Sequence, residues 1–160
     1  MKKEMSIMGI GPRMFRLTLI YCALIMSAGH FGGLDLGIRS IPPRYLHIAG
    51  AILILIGAPY LALSTATLKK AYQAGRLCTG GVYSMCRNPL YSAWIVFIIP
   101  GLLLFLDSWL LLTVPFFMYF ALRALIKEEE AFLSDKFGRE YDDYKMKVPL
   151  ILPAFWKYKP

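Results

Sequence analysis

The stretch that decides the fold is YLHIAGAILILIGAPYLALSTATL, residues 45–68, which contains no Lys, Arg, Asp or Glu in 24 positions. A helix rises about 1.5 Å per residue and the hydrocarbon core of a bilayer is about 30 Å thick, so about 20 apolar residues cross it. Residues 45–68 are long enough for one crossing. They are therefore predicted to form a membrane-spanning helix near Leu46–Leu68.

Three further stretches lack the same charged residue types: Leu17–Leu34, Asn88–Leu106 and Ser108–Leu122. Together the four stretches make up nearly half of the chain, which leaves little room for a separate soluble domain. The predicted spans are Met14–Phe31, Leu46–Leu68, Pro89–Leu106 and Ser108–Ile126. We therefore predict an all-α integral membrane protein, one domain over residues 1–160, with four transmembrane helices and a C-terminal cytoplasmic amphipathic helical segment. The first helix is expected to be retained, because more membrane stretches follow it and no exported domain does.

Composition excludes several classes of protein. Of the 160 residues, 58% are hydrophobic and only 18% are charged, which is too apolar for a soluble Rossmann enzyme or a nucleic-acid-binding module. Cys22, Cys78 and Cys86 are an odd number without framework spacing, which argues against a secreted disulfide scaffold and predicts free thiols. His30 and His47 have no neighbours that would complete a metal site, so no metal is expected.

The basic residues predict the orientation in the membrane, since the formal net charge is +8. They cluster before the first span and between the second and third spans: Lys2, Lys3, Arg13, Arg16, Lys69, Lys70, Arg76 and Arg87. By the positive-inside rule both termini and the 69–88 connection are cytoplasmic, in a bacterial inner membrane or the endoplasmic reticulum. The basic excess then indicates attraction to anionic membrane lipids and not to nucleic acid.

Three of the predicted spans contain proline: Pro59 in the second, Pro100 in the third and Pro115 in the fourth. Proline lacks the backbone donor that a helix interior needs, so each is predicted to kink its helix and open space between neighbours. Proline is also commoner in membrane helices than in soluble ones, so none of the three indicates a site by itself.

The loop before the third span carries the first candidate site residues. It reads LCTGGVYSMCRNPLY from Leu77 to Tyr91. Asn88 suits the N-cap position and Pro89 the first position of the helix that follows. A capped helix N-terminus in a basic loop can hold a carboxylate or a phosphate, although the loop taken alone favours a plain membrane-entry cap with Arg87 on lipid phosphates.

Three consecutive acids, Glu128–Glu130, follow the fourth predicted span and are called the acidic segment below. The helix dipole and the anionic membrane surface both disfavour negative charge there, so these side chains need a cationic partner. The partner is either local, Arg123 or Lys127, or a bound cation brought near the loop.

Apolar residues recur at helical spacing around and beyond the acidic segment, and they are called the apolar stripe: Ile126, Leu133, Phe137, Tyr141, Tyr144 and Val148. This period predicts an amphipathic helix that lies along the membrane surface. A short break is allowed at Gly138, because glycine weakens a helix.

These motifs, taken in order, resemble a known superfamily. The residues that carry the resemblance are Gly80–Tyr83, Arg87–Tyr91, Glu129–Glu130, Leu133, Phe137–Gly138, Tyr141, Tyr144, Val148–Pro149 and Leu152–Pro153. From Thr79 to Pro153 the pattern is similar to the C-terminal half of the isoprenylcysteine carboxyl methyltransferase and phospholipid methyltransferase superfamily. The resemblance implies an integral-membrane methyltransferase that binds S-adenosylmethionine on the cytoplasmic side, within a cofactor-binding part over residues 77–153. A lipid-like acceptor would enter from the bilayer.

The resemblance also implies the members of the site. The cofactor-binding set is Gly81, Tyr83, Arg87, Asn88, Pro89, Tyr91, Glu129 and Glu130, and the catalytic set is Arg87, Asn88 and Tyr141. Carboxylates would hold the cofactor's ribose hydroxyls or its ammonium, the Arg87 region its carboxylate, and tyrosine rings would face adenine or the sulfonium. A carboxylate acceptor needs no base, whereas an amine or a phenol must lose a proton, for which Tyr141, Tyr144 or a site carboxylate is the candidate.

One position separates the branches of this superfamily. The prenylcysteine branch usually has Arg-His-Pro, whereas this chain has Asn88 between Arg87 and Pro89, which looks closer to the phospholipid N-methyltransferase branch. Two other functions fit parts of the pattern: a membrane reductase of the sterol-reductase type that uses NADPH, and a non-catalytic membrane scaffold. Apart from membrane lipids and a small lipid-like acceptor, no partner is implied, neither protein nor nucleic acid.

Overall fold

Helices form most of the part of the chain that the structure describes. The computed structural model describes residues 9–32, 37–153 and Tyr158; Lys2 and Lys3 lie outside these residues. The helices are α1 (Gly11–Phe31), α2 (Pro43–Gln73), α3 (Pro89–Leu106), α4 (Val114–Phe137) and α5 (Arg139–Lys147). Within the described residues the only extended pairing is one antiparallel bridge between Gly37 and Ser108. The all-helical architecture predicted from the sequence is therefore confirmed.

Of the described helices, α1, α2 and α3 are long and apolar enough to cross a membrane. They match the first three predicted spans, and α2 extends beyond Leu46–Leu68 at both ends. The fourth predicted span, Ser108–Ile126, is not confirmed. Its helix begins only at Val114, because a turn at Asp107 and a short 3₁₀ helix at Leu111–Thr113 precede it, and the same helix then continues through the acidic segment.

Pro100 and Pro115, both predicted to kink their helices, have different effects in the structure. In α3 the backbone changes from α-helical geometry to a π-helical segment, Ala93–Ile98, directly before the position of Pro100. Proline cannot donate to the carbonyl one turn earlier, and π-helical turns commonly occur where the regular bonding of a helix is interrupted. Pro115 lies in the first turn of α4, where no backbone donor is required, so it begins the helix instead of kinking it.

Glycine lets α2 and α3 approach each other very closely. A Cβ atom placed on Gly50 would lie 2.6 Å from the carbonyl oxygen of Gly101, and one placed on Gly101 would lie 2.8 Å from Cγ1 of Ile54. About two helical turns further along α2, a Cβ atom on Gly57 would lie 2.6 Å from Cβ of Phe97. The two helices therefore touch through their backbones, a form of contact that small residues permit in membrane proteins.

Substituting Gly50→Ala is expected to lower the free energy of unfolding in detergent by about 1–3 kcal/mol, the usual cost of inserting a methyl group into a filled space. The methyl group would meet backbone, which cannot move aside as a flexible side chain can. Thermal or denaturant unfolding measures the effect. Gly80→Ala is the matched control, since a Cβ atom there meets nothing within 4 Å. Equal stability of the two variants would contradict the close helix contact.

The larger apolar core lies between α1, α3 and α4. Met14, Met118 and Leu122 are fully buried in it. Two aromatic pairs join α1 to the other helices: Phe15 packs edge-to-face on Trp94 of α3, and Tyr21 stacks on Phe117 of α4 with ring centroids 4.2 Å apart. This core fixes the start of α1 beside α3 and α4.

The apolar stripe has a different role from the one predicted. Its last three members, Tyr141, Tyr144 and Val148, are buried together with Leu77 of the loop, so they pack inside the protein and not on a membrane surface. The helix also breaks at Gly138, whose φ of +57° suits glycine, and this break turns α5 back toward the loop. The predicted surface helix is therefore two helices, and their packing positions the candidate site.

Candidate functional site

The loop and the acidic segment meet, as the sequence predicts. Arg87 Nη1 donates to Glu130 Oε1 at 2.7 Å, and both side chains are only 13% exposed. Lys145 Nζ of α5 lies 2.7 Å from the other carboxylate oxygen of Glu130. The cationic partners of Glu130 thus come from distant parts of the chain, and not from Arg123 or Lys127 as the local alternative proposed.

The residues that follow α5 hold the loop in place through its backbone. The amide of Arg87 donates to the Pro149 carbonyl at 2.9 Å, and the amide of Asn88 donates to the Leu150 carbonyl at 3.1 Å. The thiol of Cys86 is buried and lies 2.9 Å from the Ile151 carbonyl oxygen. The start of α3 is consequently fixed from outside the helix.

Asn88 occupies the N-cap position of α3, with Pro89 at the first helical position, but its side chain does not cap the helix. The side-chain amide Nδ2 instead donates to the Leu150 carbonyl at 3.3 Å. The predicted capping hydrogen bond is therefore wrong. The side-chain amide thus donates to the same Leu150 carbonyl that accepts from the Asn88 backbone amide, and the Asn88 side chain does not act as the acceptor that a cap requires.

Glu129 faces the opposite way from Glu130, toward the start of α1. Its Oε2 accepts a hydrogen bond from the Tyr91 hydroxyl at 3.2 Å and one from the Ile10 amide at 3.5 Å. Burial raises the pKa of this carboxyl above its usual value, while the two hydrogen bonds oppose the rise by stabilising the ionised form. Glu128, the third acid, is exposed and pairs with Arg13 at 2.7 Å.

A cavity of about 550 Å³ lies beside these groups, within the range of about 300–1,000 Å³ typical of small-molecule sites. Six of the predicted site residues line it: Tyr83, Arg87, Asn88, Tyr91, Glu129 and Tyr141. Three predicted cofactor residues do not: Gly81, Pro89 and Glu130. Gly81, with a φ of +59°, starts the short 3₁₀ helix that places Tyr83 on the cavity wall.

Three tyrosines of the cavity wall, Tyr83, Tyr141 and Tyr144, keep their protons at neutral pH. Burial raises the pKa of Tyr141 to about 12, with the negative charge of Glu130 adding to the effect and Arg87 opposing it. Burial likewise raises the pKa of Tyr83 and of Tyr144, whose hydroxyl donates to the Tyr83 carbonyl at 2.6 Å. A proton acceptor works best when its pKa is near the working pH, so the use of Tyr141 as a base, which stays a prediction, is disfavoured.

Sequence reasoning missed two contributions to this cavity. The turn before α1 and the first turns of α1 supply part of its wall, including Gly9 and Phe15, and no local sequence pattern pointed to these residues. Lys69 and Arg76 also line it; the sequence had assigned them to membrane orientation alone. Both contributions depend on contacts between segments far apart in sequence, which no local spacing encodes.

The chain is similar to known methyltransferases. The model of the family described as phospholipid methyltransferase matches residues 45–140, which run from the beginning of α2 to the beginning of α5. A rice protein (Oryza sativa subsp. indica) named probable protein-S-isoprenylcysteine O-methyltransferase is 28% identical over 120 residues, which are 68% of this chain and 62% of the rice protein.

Two animal proteins named protein-S-isoprenylcysteine O-methyltransferase are also similar. The mouse protein is 35% identical over 77 residues, 48% of this chain and 27% of its own length. The Xenopus laevis protein is 31% identical over 120 residues, 68% of this chain and 41% of its own. The chain therefore spans less than two thirds of the length of these curated relatives. No solved structure matches it significantly.

Proposed function

Because this chain belongs to the phospholipid methyltransferase family, we propose that it is an integral-membrane methyltransferase that uses S-adenosylmethionine and acts on a lipid-like acceptor. The observation that carries the proposal is the meeting of Arg87, Tyr91 and Glu129 at one cavity, although 42 residues separate the first from the last. The similarity to proteins named isoprenylcysteine O-methyltransferases supports the same class of reaction.

The residues that line the cavity suit a ligand that is both cationic and polar. Glu129 presents a carboxylate whose Oε2 is engaged by the protein, whereas no described residue donates to its Oε1. That oxygen can accept from a ribose hydroxyl or an ammonium group. Tyr83 and Tyr91 add aromatic walls, which suit adenine or a sulfonium. We assign the cofactor-binding role to residues 77–153 on this basis.

The chemistry requires positioning more than acid or base. S-adenosylmethionine supplies an electrophilic methyl group on sulfur, and its leaving group departs neutral without needing a proton. The protein's part is to hold donor and acceptor in line, and such positioning can supply about 7–11 kcal/mol of the barrier. Glu130, paired with Arg87 and Lys145, contributes to this positioning indirectly because the pairing fixes the loop.

The cavity favours an acceptor that attacks without first losing a proton. Tyr83, Tyr141 and Tyr144 are poor bases because they stay protonated at neutral pH, and neither His30 nor His47 lines the cavity. Lys69 and Arg76 give its wall positive charge, which attracts an anion. Among the three acceptor classes, carboxylate, amine and phenol, these features support a carboxylate borne on an apolar chain.

The proposal also includes the membrane topology derived from charge. In it, Ser108–Ile126 makes a fourth crossing, the termini are cytoplasmic, and the single domain over residues 1–160 carries its site on the cytoplasmic side. Phe116 and Phe120 of α4 are 69% and 68% exposed, which supports lipid contact along this helix.

Purified protein in detergent is expected to bind S-adenosylmethionine in the micromolar range and not to bind NADPH, as isothermal titration would measure. Binding of NADPH without S-adenosylmethionine would favour a reductase, and binding of neither would favour a non-catalytic membrane protein. Incubation with methyl-labelled cofactor, followed by lipid extraction and mild alkaline hydrolysis, tests the acceptor class, because a methyl ester is cleaved and an N-methyl group is not.

A further inference from the structure

The turn that precedes α1 lies directly on the carboxylate of Glu129. A Cβ atom placed on Gly9 would be 2.5 Å from Glu129 Oε2 and 3.0 Å from the Tyr91 hydroxyl oxygen. Real Cβ atoms do not come this close, and the φ of +50° at Gly9 also disfavours any side chain there. Space and backbone conformation therefore both favour glycine at this position, and a larger residue would have to displace the Glu129 carboxylate.

Two further contacts tie this turn and the start of α1 to the acidic segment, and a third reaches the same carboxylate from α3. The amide of Ile10 points at the same oxygen, Glu129 Oε2, at 3.5 Å, and Ile10 itself is only 3% exposed. Arg13, at the start of α1, pairs with Glu128, the residue next to Glu129. The Tyr91 hydroxyl donates to Oε2 from α3. The Ile10 amide and the Tyr91 hydroxyl thus converge on one oxygen of the Glu129 carboxylate, Oε2.

This arrangement leaves the two oxygens of Glu129 with different roles. Oε2 is fixed between α3 and the turn, whereas Oε1 accepts no hydrogen bond from any residue in the described part of the chain. Gly9 and Glu129 both line the cavity. A carboxylate held by one oxygen presents the other in a fixed direction, so less conformational freedom is lost when a ligand binds.

We propose that the turn at Gly9 and Ile10 is a positioning element of the cofactor site, which holds Glu129 by Oε2 so that Oε1 faces the methyl donor. The proposal rests on the proposed function, since it presumes that Glu129 contacts the cofactor. The turn precedes residue 45, where the match to the family begins, so that match assigns it no role. It adds the turn before α1 to a site whose other walls come from the loop, α4 and neighbouring residues of α2 and α5.

Substituting Gly9→Ala tests the proposal. The added methyl group must displace Glu129, so affinity for S-adenosylmethionine is expected to fall about 10- to 100-fold, the size typical of a misplaced charged hydrogen bond. Gly80→Ala is the control: a Cβ atom there meets nothing within 4 Å, its φ is not positive, and the residue does not line the cavity. The control should keep its affinity within about 2-fold of wild type.

A double-mutant cycle separates positioning from a general structural effect. Glu129→Asp shortens the side chain and withdraws its oxygens from Gly9, so it should weaken binding in the wild-type background and cost less in the Gly9→Ala background. The loss of affinity in the double variant should differ by about 3-fold or more from the product of the two single-variant losses, as is usual for residues in contact. Losses that multiply independently would overturn the proposal, because disruption unrelated to Glu129 gives no such coupling.

Wild-type protein offers a second measurement that does not depend on a variant folding. Amide hydrogen exchange in a peptide covering residues 9–13 is expected to slow when S-adenosylmethionine saturates the site, because the ligand stabilises the carboxylate that accepts from Ile10. Unchanged exchange would contradict the positioning role. If the wild type binds the cofactor but Gly9→Ala binds it equally well, only this proposal fails. If the wild type does not bind, the proposed function itself fails.

Discussion

Substituting Glu129→Gln should weaken binding of S-adenosylmethionine by about 10- to 100-fold, equivalent to about 1.5–3 kcal/mol for one charged hydrogen bond. Glutamine keeps the shape of the side chain and can still accept from Tyr91 and Ile10, so the packing around it should persist. What it loses is the negative charge next to a cationic ligand. Isothermal titration of both proteins in the same detergent measures the difference.

The matched control for this experiment is the neighbouring residue. Glu128→Gln removes the same charge from the same helix, but its side chain is 64% exposed and does not line the cavity. Its affinity should stay within about 2-fold of wild type, because an exposed ion pair contributes little. Equal losses in the two variants would mean that only the overall charge of the acidic segment matters.

The raised pKa of Glu129 gives this experiment a pH signature. The cationic ligand binds the ionised carboxylate, so wild-type affinity should fall as the pH is lowered through a pKa above the usual value. Glu129→Gln has no proton to gain at that position and should lose this part of the pH dependence. If the affinity of the variant still fell in the same way at low pH, another group would be responsible for the titration.

Substituting Arg87→Met should lower the free energy of unfolding by about 3 kcal/mol and abolish measurable cofactor binding. It leaves Glu130 in a site where it is only 13% exposed, and removing one partner of a buried ion pair typically costs about 3–5 kcal/mol. Lys145 still compensates part of the charge, which places the effect at the low end. Thermal unfolding in detergent and cofactor titration measure the two results.

Arg13→Met provides the contrast for stability. Arg13 and Glu128 also approach to 2.7 Å, but their side chains are 48% and 64% exposed. Water and salt screen such a pair, so its loss should cost less than about 1 kcal/mol. If both substitutions destabilised the protein equally, burial of the Arg87–Glu130 pair would not explain its effect.

The sequence predicted much of the site and misassigned particular side chains. The resemblance of the ordered motifs to a known superfamily selected Arg87, Tyr91 and Glu129, which do line one cavity. The sequence also predicted that Asn88 caps α3, but the Leu150 carbonyl, 62 residues away, takes that side chain instead. N-cap preferences describe hydrogen bonds within the first turn of a helix. They do not include acceptors that a distant segment of the chain supplies.

The apolar stripe shows the same division. Its helical period was correct, yet a period specifies only that one face is buried and not what buries it. Leu77 of the loop, rather than a lipid surface, covers Tyr141 and Tyr144. The sequence allowed the helix to break at Gly138. In the structure the helix does break there, and α5 packs on the loop.

By itself, then, the sequence determined where the chain is helical and apolar enough for a membrane, because long charge-free runs can satisfy their backbone in lipid only as helices. It also determined which two segments carry the polar chemistry. Only the tertiary structure decided that Glu129 faces the cavity while Glu130 holds the loop, since adjacent residues on a helix point about 100° apart and the neighbouring helices select between them. The same is true of the turn at Gly9, which reaches Glu129 across 120 positions of sequence solely because α1 packs against α4.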